Sequence, residues 1–386
     1  MFSTRFRWDL KPNRITLALV EKRRGGVPVL DLTESNPTRA GLVYPSEILQ
    51  FFAEERILRY DPAPAGMTEA REAVARYYAK RGIRAEAERI LLTASTSEAY
   101  GYLFKLLTDP GDEVLVPRPS YPLFEFLAGM ESVVVRSYPL MYCDGWSVDW
   151  ERLLGQITPR TRAIVVVNPN NPTGSFLRVE ERERLARLSS ERQIALISDE
   201  VFSDYAFAPD PERAESVAEL EVGLAFALSG LSKIAGLPQM KLGWIVVAGE
   251  FEERRCAWER LEWIADTYLS VGTPVQYAAP RLLAAGESVR EQIRARTADN
   301  LAFAREVLME SGANVLRVEG GWYATVQVPR VRSEEEWTLE LLERANVLVQ
   351  PGYFFDFETE AFLVVSLLTP PGVFQAGIRR LARFVI

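Results

Sequence analysis

The segment Ala163-Ile164-Val165-Val166-Val167 is five apolar residues with no alternation. A strand with one wet face needs polar residues at every second place. This segment therefore reads as a strand covered on both faces, as in a parallel sheet. The segments 90–92, 113–116, 132–136, 194–197, 226–229 and 244–248 also read as strands. Between them lie helical patterns at 68–81, 97–107, 123–129 and the strongly charged 180–192. Strands alternating with helices over residues 88–250 predict an α/β fold with a large doubly wound, mostly parallel sheet. After about residue 285 the pattern changes to a long helix (288–311), short strands (323–328, 347–349, 362–367) and a final helix (374–384). The expected organisation is an N-terminal segment, 1–45, packing on a small α+β domain, 286–386, beside a large domain, 46–285.

The chain has 386 residues and no histidine. Ser-His-Asp and Cys-His nucleophiles are excluded, as are His-containing metal sites. Two cysteines, Cys143 and Cys256, make neither a Cys₄ site nor a disulfide framework. No metal is expected, and reduced thiols fit a cytoplasmic protein. A net charge of −8 lacks the basic footprint of nucleic-acid binding. The first residues carry no apolar signal-peptide core, and the charge-free stretch 361–378 contains Pro370-Pro371-Gly372, so neither a leader nor a membrane span is expected. If the chain is an enzyme, its proton transfers fall to Lys, Asp, Glu, Tyr or a cofactor.

In open α/β sheets, ligands gather past the carboxyl ends of the strands. Val167 is followed by Asn168-Pro169-Asn170-Asn171-Pro172-Thr173-Gly174, and Ile197 by Ser198-Asp199-Glu200. Leu228 is followed by Ser229-Gly230-Leu231-Ser232-Lys233, and Leu92 by Thr93-Ala94-Ser95-Thr96-Ser97, which opens a helix. A hydroxyl-rich helix N-terminus suits a phosphate. A lysine in a desolvated crevice can form a Schiff base. A buried carboxylate nearby can hold a protonated pyridine nitrogen. Together these point to pyridoxal 5′-phosphate.

In their order and spacing, Asn168 to Gly174, Asp199 and Ser232-Lys233 resemble the fold-type I, pyridoxal-phosphate-dependent aminotransferases of class I/II, and the likeness runs from Leu32 to Leu381. The resemblance implies that Lys233 carries the cofactor as a Schiff base and moves the substrate proton. It implies that Asp199 pairs with the ring nitrogen, Asn171 with the phenolic oxygen, and that Tyr121 stacks on the ring. Thr96, Ser97 and Ser232 fall among the phosphate and cofactor contacts. Tyr60 resembles the tyrosine that reaches the phosphate of a neighbouring subunit, which implies a homodimer. Ser35 and Asn36 lie where related enzymes present backbone to the substrate. The partners implied are a small amino donor and a 2-oxo-acid acceptor. A lyase or decarboxylase would share every cofactor residue, and a non-catalytic cofactor-binding protein is a third reading.

Four positions depart from the family pattern. Phe202 replaces a tyrosine that donates to the phenolic oxygen, Gly230 a phosphate-binding serine, and Lys241 a phosphate-gripping arginine. Val364, in Leu363-Val364-Val365-Ser366, replaces the arginine that holds the substrate α-carboxylate. Arg39 is the candidate cation to take its place.

Overall fold

A computed structural model describes residues 2–6, 8 and 10–385; Met1, Arg7, Asp9 and Ile386 lie outside the described residues, as does the side chain of Phe6. Asn13 caps a helix, Arg14–Arg24, by accepting from the Thr16 amide. A short strand follows, β1 (Leu30–Asp31).

The next strands are β2 (Ile90–Thr93), β3 (Glu113–Arg118), β4 (Val134–Tyr142), β5 (Trp146–Val148), β6 (Thr161–Val167), β7 (Ala195–Asp199), β8 (Leu224–Gly230) and β9 (Gly243–Gly249). They form one eight-stranded sheet in the order β2-β9-β8-β7-β6-β3-β4-β5. The pairs β3–β4, β3–β6, β6–β7 and β7–β8 are parallel. β9 runs antiparallel to both β2 and β8, and β5 antiparallel to β4. Both faces of the central strands are covered. Ile164 and Val166 pack into one apolar cluster, Ala163, Val165 and Val167 into another on the opposite face. The lack of alternation in this strand has its cause here, and the doubly wound sheet expected from it is present.

The C-terminal part contributes β10 (Asn314–Val315), β11 (Tyr323–Gln327), β12 (Val347–Leu348), β13 (Gln350–Pro351) and β14 (Phe362–Ser366). Four of them form a sheet in the order β10-β11-β14-β13, and β12 pairs in parallel with β1. The N-terminal segment is pinned here, for the Leu32 carbonyl accepts from the Ser366 amide and the Glu34 carbonyl from the Ser366 hydroxyl.

The helix expected at 288–311 begins earlier and runs unbroken over Thr273–Met309, with Pro280 inside it. Pro disfavours a helix interior, but burial overrides it. Val275, Ala278, Ala279 and Leu282 pack under the large sheet, Val289 and Ile293 near the site, and Leu301, Ala304 and Leu308 in the small sheet's core. The helix thus passes straight through the 285/286 division and ties both sheets together.

Candidate active site

Three adjacent parallel strands deliver the polar groups. Val167 of β6 pairs with Asp199 of β7, which pairs in turn with Leu228 of β8. Beyond β6, Asn168 and the Asn170 oxygen are used up in folding the turn, while Asn170 Nδ2 is buried without a partner. Asn168 donates to the Ala214 carbonyl and accepts from the Leu177 amide, while the Asn170 oxygen accepts from the Thr173 hydroxyl. Asn171 is left facing the cavity, and its Oδ1 is buried without a partner. Gly174 closes the turn at φ +69°, where a Cβ would lie 2.5 Å from the Gly320 carbonyl oxygen. The Glu319 and Gly320 amides both donate to the Gly174 carbonyl, which brings Trp322 and Tyr323 over the strand ends.

Beyond β8, a single-turn helix, Leu231–Ile234, presents Lys233. The Tyr205 hydroxyl donates to the Lys233 carbonyl at 2.5 Å and fixes the backbone there. The amine lies 5.0 Å from the Trp322 ring centre and 5.5 Å from that of Phe202. Burial pushes the Lys233 amine down to about 8, partly opposed by the charge of Asp199. Burial likewise raises the Asp199 carboxyl to about 6, opposed by the Val201 amide, the Tyr100 hydroxyl and Lys233. Tyr100 donates to Asp199 Oδ2 at 3.3 Å and the Val201 amide to Oδ1 at 3.2 Å. Near neutral pH, Asp199 is an anion aimed at a place where a cation would relieve it.

These groups line a cavity of about 290 Å³. On one side the helix Thr96–Leu107 turns its N-terminus inward, with Ser95 capping it through the Glu98 amide. Ser95, Thr96, Ser97, Gly230 and Ser232 form that wall. Free N–H groups, the helix dipole and hydroxyls suit a phosphate. Gly230 is held close to its neighbours: a Cβ there would lie 2.9 Å from Gly243 Cα and from the Leu242 carbonyl oxygen. A serine at this position would need the backbone to move.

The cavity collects most of the sequence candidates: Lys233, Asp199, Asn171, Tyr121, Thr96, Ser97, Ser232, Phe202 and Ser35. Four are not among its lining residues. Lys241 is exposed on the turn after Pro238–Met240. Tyr60 is 76% exposed and lines a different recess, near Ser270. Asn36 spends its side chain on Thr38, accepting from both amide and hydroxyl. Arg39 is exposed, since the next residue, Ala40, is the buried one. Sequence reading missed Tyr100, Tyr205, Trp322, Tyr323, Gln350 and Phe355. Only Gln350 carried a visible signal, as a lone amide closing the apolar run Val347-Leu348-Val349 before Pro351.

An inward-facing lysine, a desolvated carboxylate, an unpartnered amide and a phosphate cradle at the carboxyl edge of a doubly wound sheet define a pyridoxal-phosphate enzyme of fold type I. The chain belongs to the family described as aminotransferase class I and II, which it matches over residues 28–381. It is 27% identical over 376 residues to the glutamate-pyruvate aminotransferase AlaA of Escherichia coli strain K12, covering 93% of this chain and 91% of that one. It is 29% identical over 373 residues to the aspartate/prephenate aminotransferase of Thermus thermophilus, covering 94% and 93%. Among solved structures, a Thermus thermophilus aspartate aminotransferase mutant superposes with a TM-score of 0.86 at 26% identity, covering 99% of both chains. The alanine aminotransferase of Pyrococcus furiosus shares the fold, with a TM-score of 0.89 at 24% identity over 100% and 99%. The protein is thus a pyridoxal-phosphate-dependent transaminase, and the lyase and non-catalytic readings are not favoured.

Among the described residues no three metal-capable side chains cluster, and no helix is long and apolar enough to cross a membrane.

Proposed function

We propose that Lys233, Asp199 and Asn171 are the residues through which this transaminase acts on a small amino donor and a 2-oxo acid. The observation that carries this reading is their convergence, from three neighbouring strand ends, on one cavity. Pyridoxal 5′-phosphate, when bound, supplies an electron sink for the carbon that bears the amino group. Asp199 holds the ring nitrogen as its protonated form, because an anion in a desolvated wall favours an adjacent cation. Asn171 hydrogen-bonds the phenolic oxygen by donating from its Nδ2. Thr96, Ser97 and Ser232 hold the phosphate, and Tyr121 covers the ring. Lys233 would take the proton from the substrate carbon bearing the amino group and return it to the cofactor's C4′ carbon within the same half-reaction, the other half-reaction running this transfer in reverse. Before the cofactor binds, the lowered pKa of Lys233 keeps about a tenth of the amine neutral at pH 7, the form that attacks an aldehyde.

The same reading includes a cytoplasmic homodimer in which Tyr60 serves the partner subunit, and a division into a large domain, 46–285, with the remainder packed around the small sheet. Alanine and aspartate, named in the relatives, are the first donors to try. The test mixes holoenzyme with single amino donors and follows absorbance and products. Conversion to the pyridoxamine form with release of the matching oxo acid is the expected result. Release of ammonia or carbon dioxide instead would replace transamination by lyase or decarboxylase chemistry.

A further inference from the structure

The small sheet explains what Val364 faces. β14 lies between β11 and β13, with Thr325 and Gln350 both directly opposite Val364. Directly opposed residues share a face, so Thr325, Val364 and Gln350 form one row across three strands. The neighbouring residues Leu363 and Val365 point the other way, into the small core. One step along the row's face stands Tyr323, opposite Ser366. Tyr323 and Gln350 both line the cavity, with the Tyr323 hydroxyl beside Ser35. This is the cavity side of the small sheet, and its polar groups are neutral. Among the described residues lining the cavity, Lys233 is the one cation.

Two atoms of the row are buried without a partner: Gln350 Oε1 and Thr325 Oγ1. A carboxylate can only accept hydrogen bonds. It would satisfy an amide's N–H groups but leave the amide's oxygen orphaned, whichever way the amide is turned. A desolvated carboxylate also needs a cation, and this wall supplies none. A primary amide or a hydroxyl both donates and accepts, so it can satisfy the whole Gln350 side chain.

We infer that Gln350 is the specificity-determining residue of this cavity, and that it selects amino donors whose polar group next to the amino-bearing carbon is a neutral amide or alcohol rather than a carboxylate. The inference rests on the transaminase reading.

The test compares L-alanine, L-alaninamide and 2-amino-1-propanol as donors to the holoenzyme, by kcat/KM of the half-reaction. The amide or the alcohol should exceed the acid by about tenfold or more, the worth of one well-made hydrogen bond against an unpaired one. Gln350→Leu should abolish that margin, and Gln350→Arg should shift it toward the acid. Calorimetric binding of lactamide and lactate, which lack the amino group, gives a second readout: lactamide should bind more tightly, and Gln350→Leu should erase the difference. A wild-type preference for L-alanine overturns the inference and leaves the transaminase reading intact. Equal handling of the three donors by the wild type also overturns it. If no donor reacts while lactamide still binds in a Gln350-dependent way, the transaminase reading falls, and the donor-selecting role of Gln350 falls with it.

Discussion

At the scale of single residues, the proposed chemistry would depend on one amine kept partly neutral and one carboxylate kept charged. The Lys233 pKa of about 8 belongs to the protein before any cofactor binds. A neutral amine is the attacking form, so the rate at which apoprotein forms a borohydride-reducible adduct with pyridoxal phosphate should climb with pH and level off above about 8. An ordinary lysine would still be climbing near pH 10. Stopped-flow absorbance, referenced to a simple amine, reads this directly, and a midpoint near 10 would show that the amine is not desolvated. The sign of the Asp199 effect follows. Its negative charge supports the ammonium, so Asp199→Asn should move the midpoint below that of the wild type; an upward move would contradict the assigned coupling. Lys233→Ala should lose the reducible adduct altogether. A mutant that still labels at another lysine would sink the assignment.

At the scale of elements, the site is held together by the turn that joins the two sheets. Gly174→Ala would place a methyl 2.5 Å from a carbonyl oxygen at a positive φ. We expect about 1–3 kcal/mol of lost stability, from backbone strain and displacement of the 319–322 strap. Urea unfolding would measure it, and wild-type stability would mean that the strap yields without resistance. The turn also shows why some of the site was legible in the sequence and some was not. Asn171, Asp199 and Lys233 each follow an uninterrupted apolar strand, and strand ends on one sheet edge must converge. Val364 was visible as a departure because the family resemblance puts an arginine at that place in the closing strand. Trp322, Tyr205 and Tyr100 reach the site from elements whose placement depends on long-range contacts, and no local pattern marks them. The start of the long helix was hidden for a related reason. Pro280 reads as a boundary, and only the apolar cover over Ala278, Ala279 and Leu282 shows that the helix continues. Arg39, Asn36 and Lys241 came from motif position alone, and position within a motif does not say which way a side chain on a turn will face.

At the scale of the whole molecule, the stretch 43–60 is the part that the single chain leaves unexplained. Val43, Leu49, Leu58 and Tyr60 are 74–85% exposed, although each is a large apolar or aromatic side chain. The stretch is nonetheless firmly seated. Gln292 exchanges hydrogen bonds with the Val43 backbone, and Arg281 donates to the Phe51 carbonyl, both from the helix that ties the two sheets together. Exposed apolar groups on a rigid support mark an interaction surface, and the proposed homodimer would place a second copy of this chain on it. An obligate interface of this kind buries upward of about 2,000 Å², so the dimer should persist at nanomolar concentration in sedimentation. Leu58→Asp should dissociate it, because a charge would enter an apolar contact without a partner. Tyr60→Phe should leave the dimer intact and release the cofactor more readily, since it removes a hydroxyl and keeps the ring. That pair of outcomes separates assembly from cofactor contact. A fully active monomer, or a Leu58→Asp protein that remains dimeric, would move the interface elsewhere on the molecule.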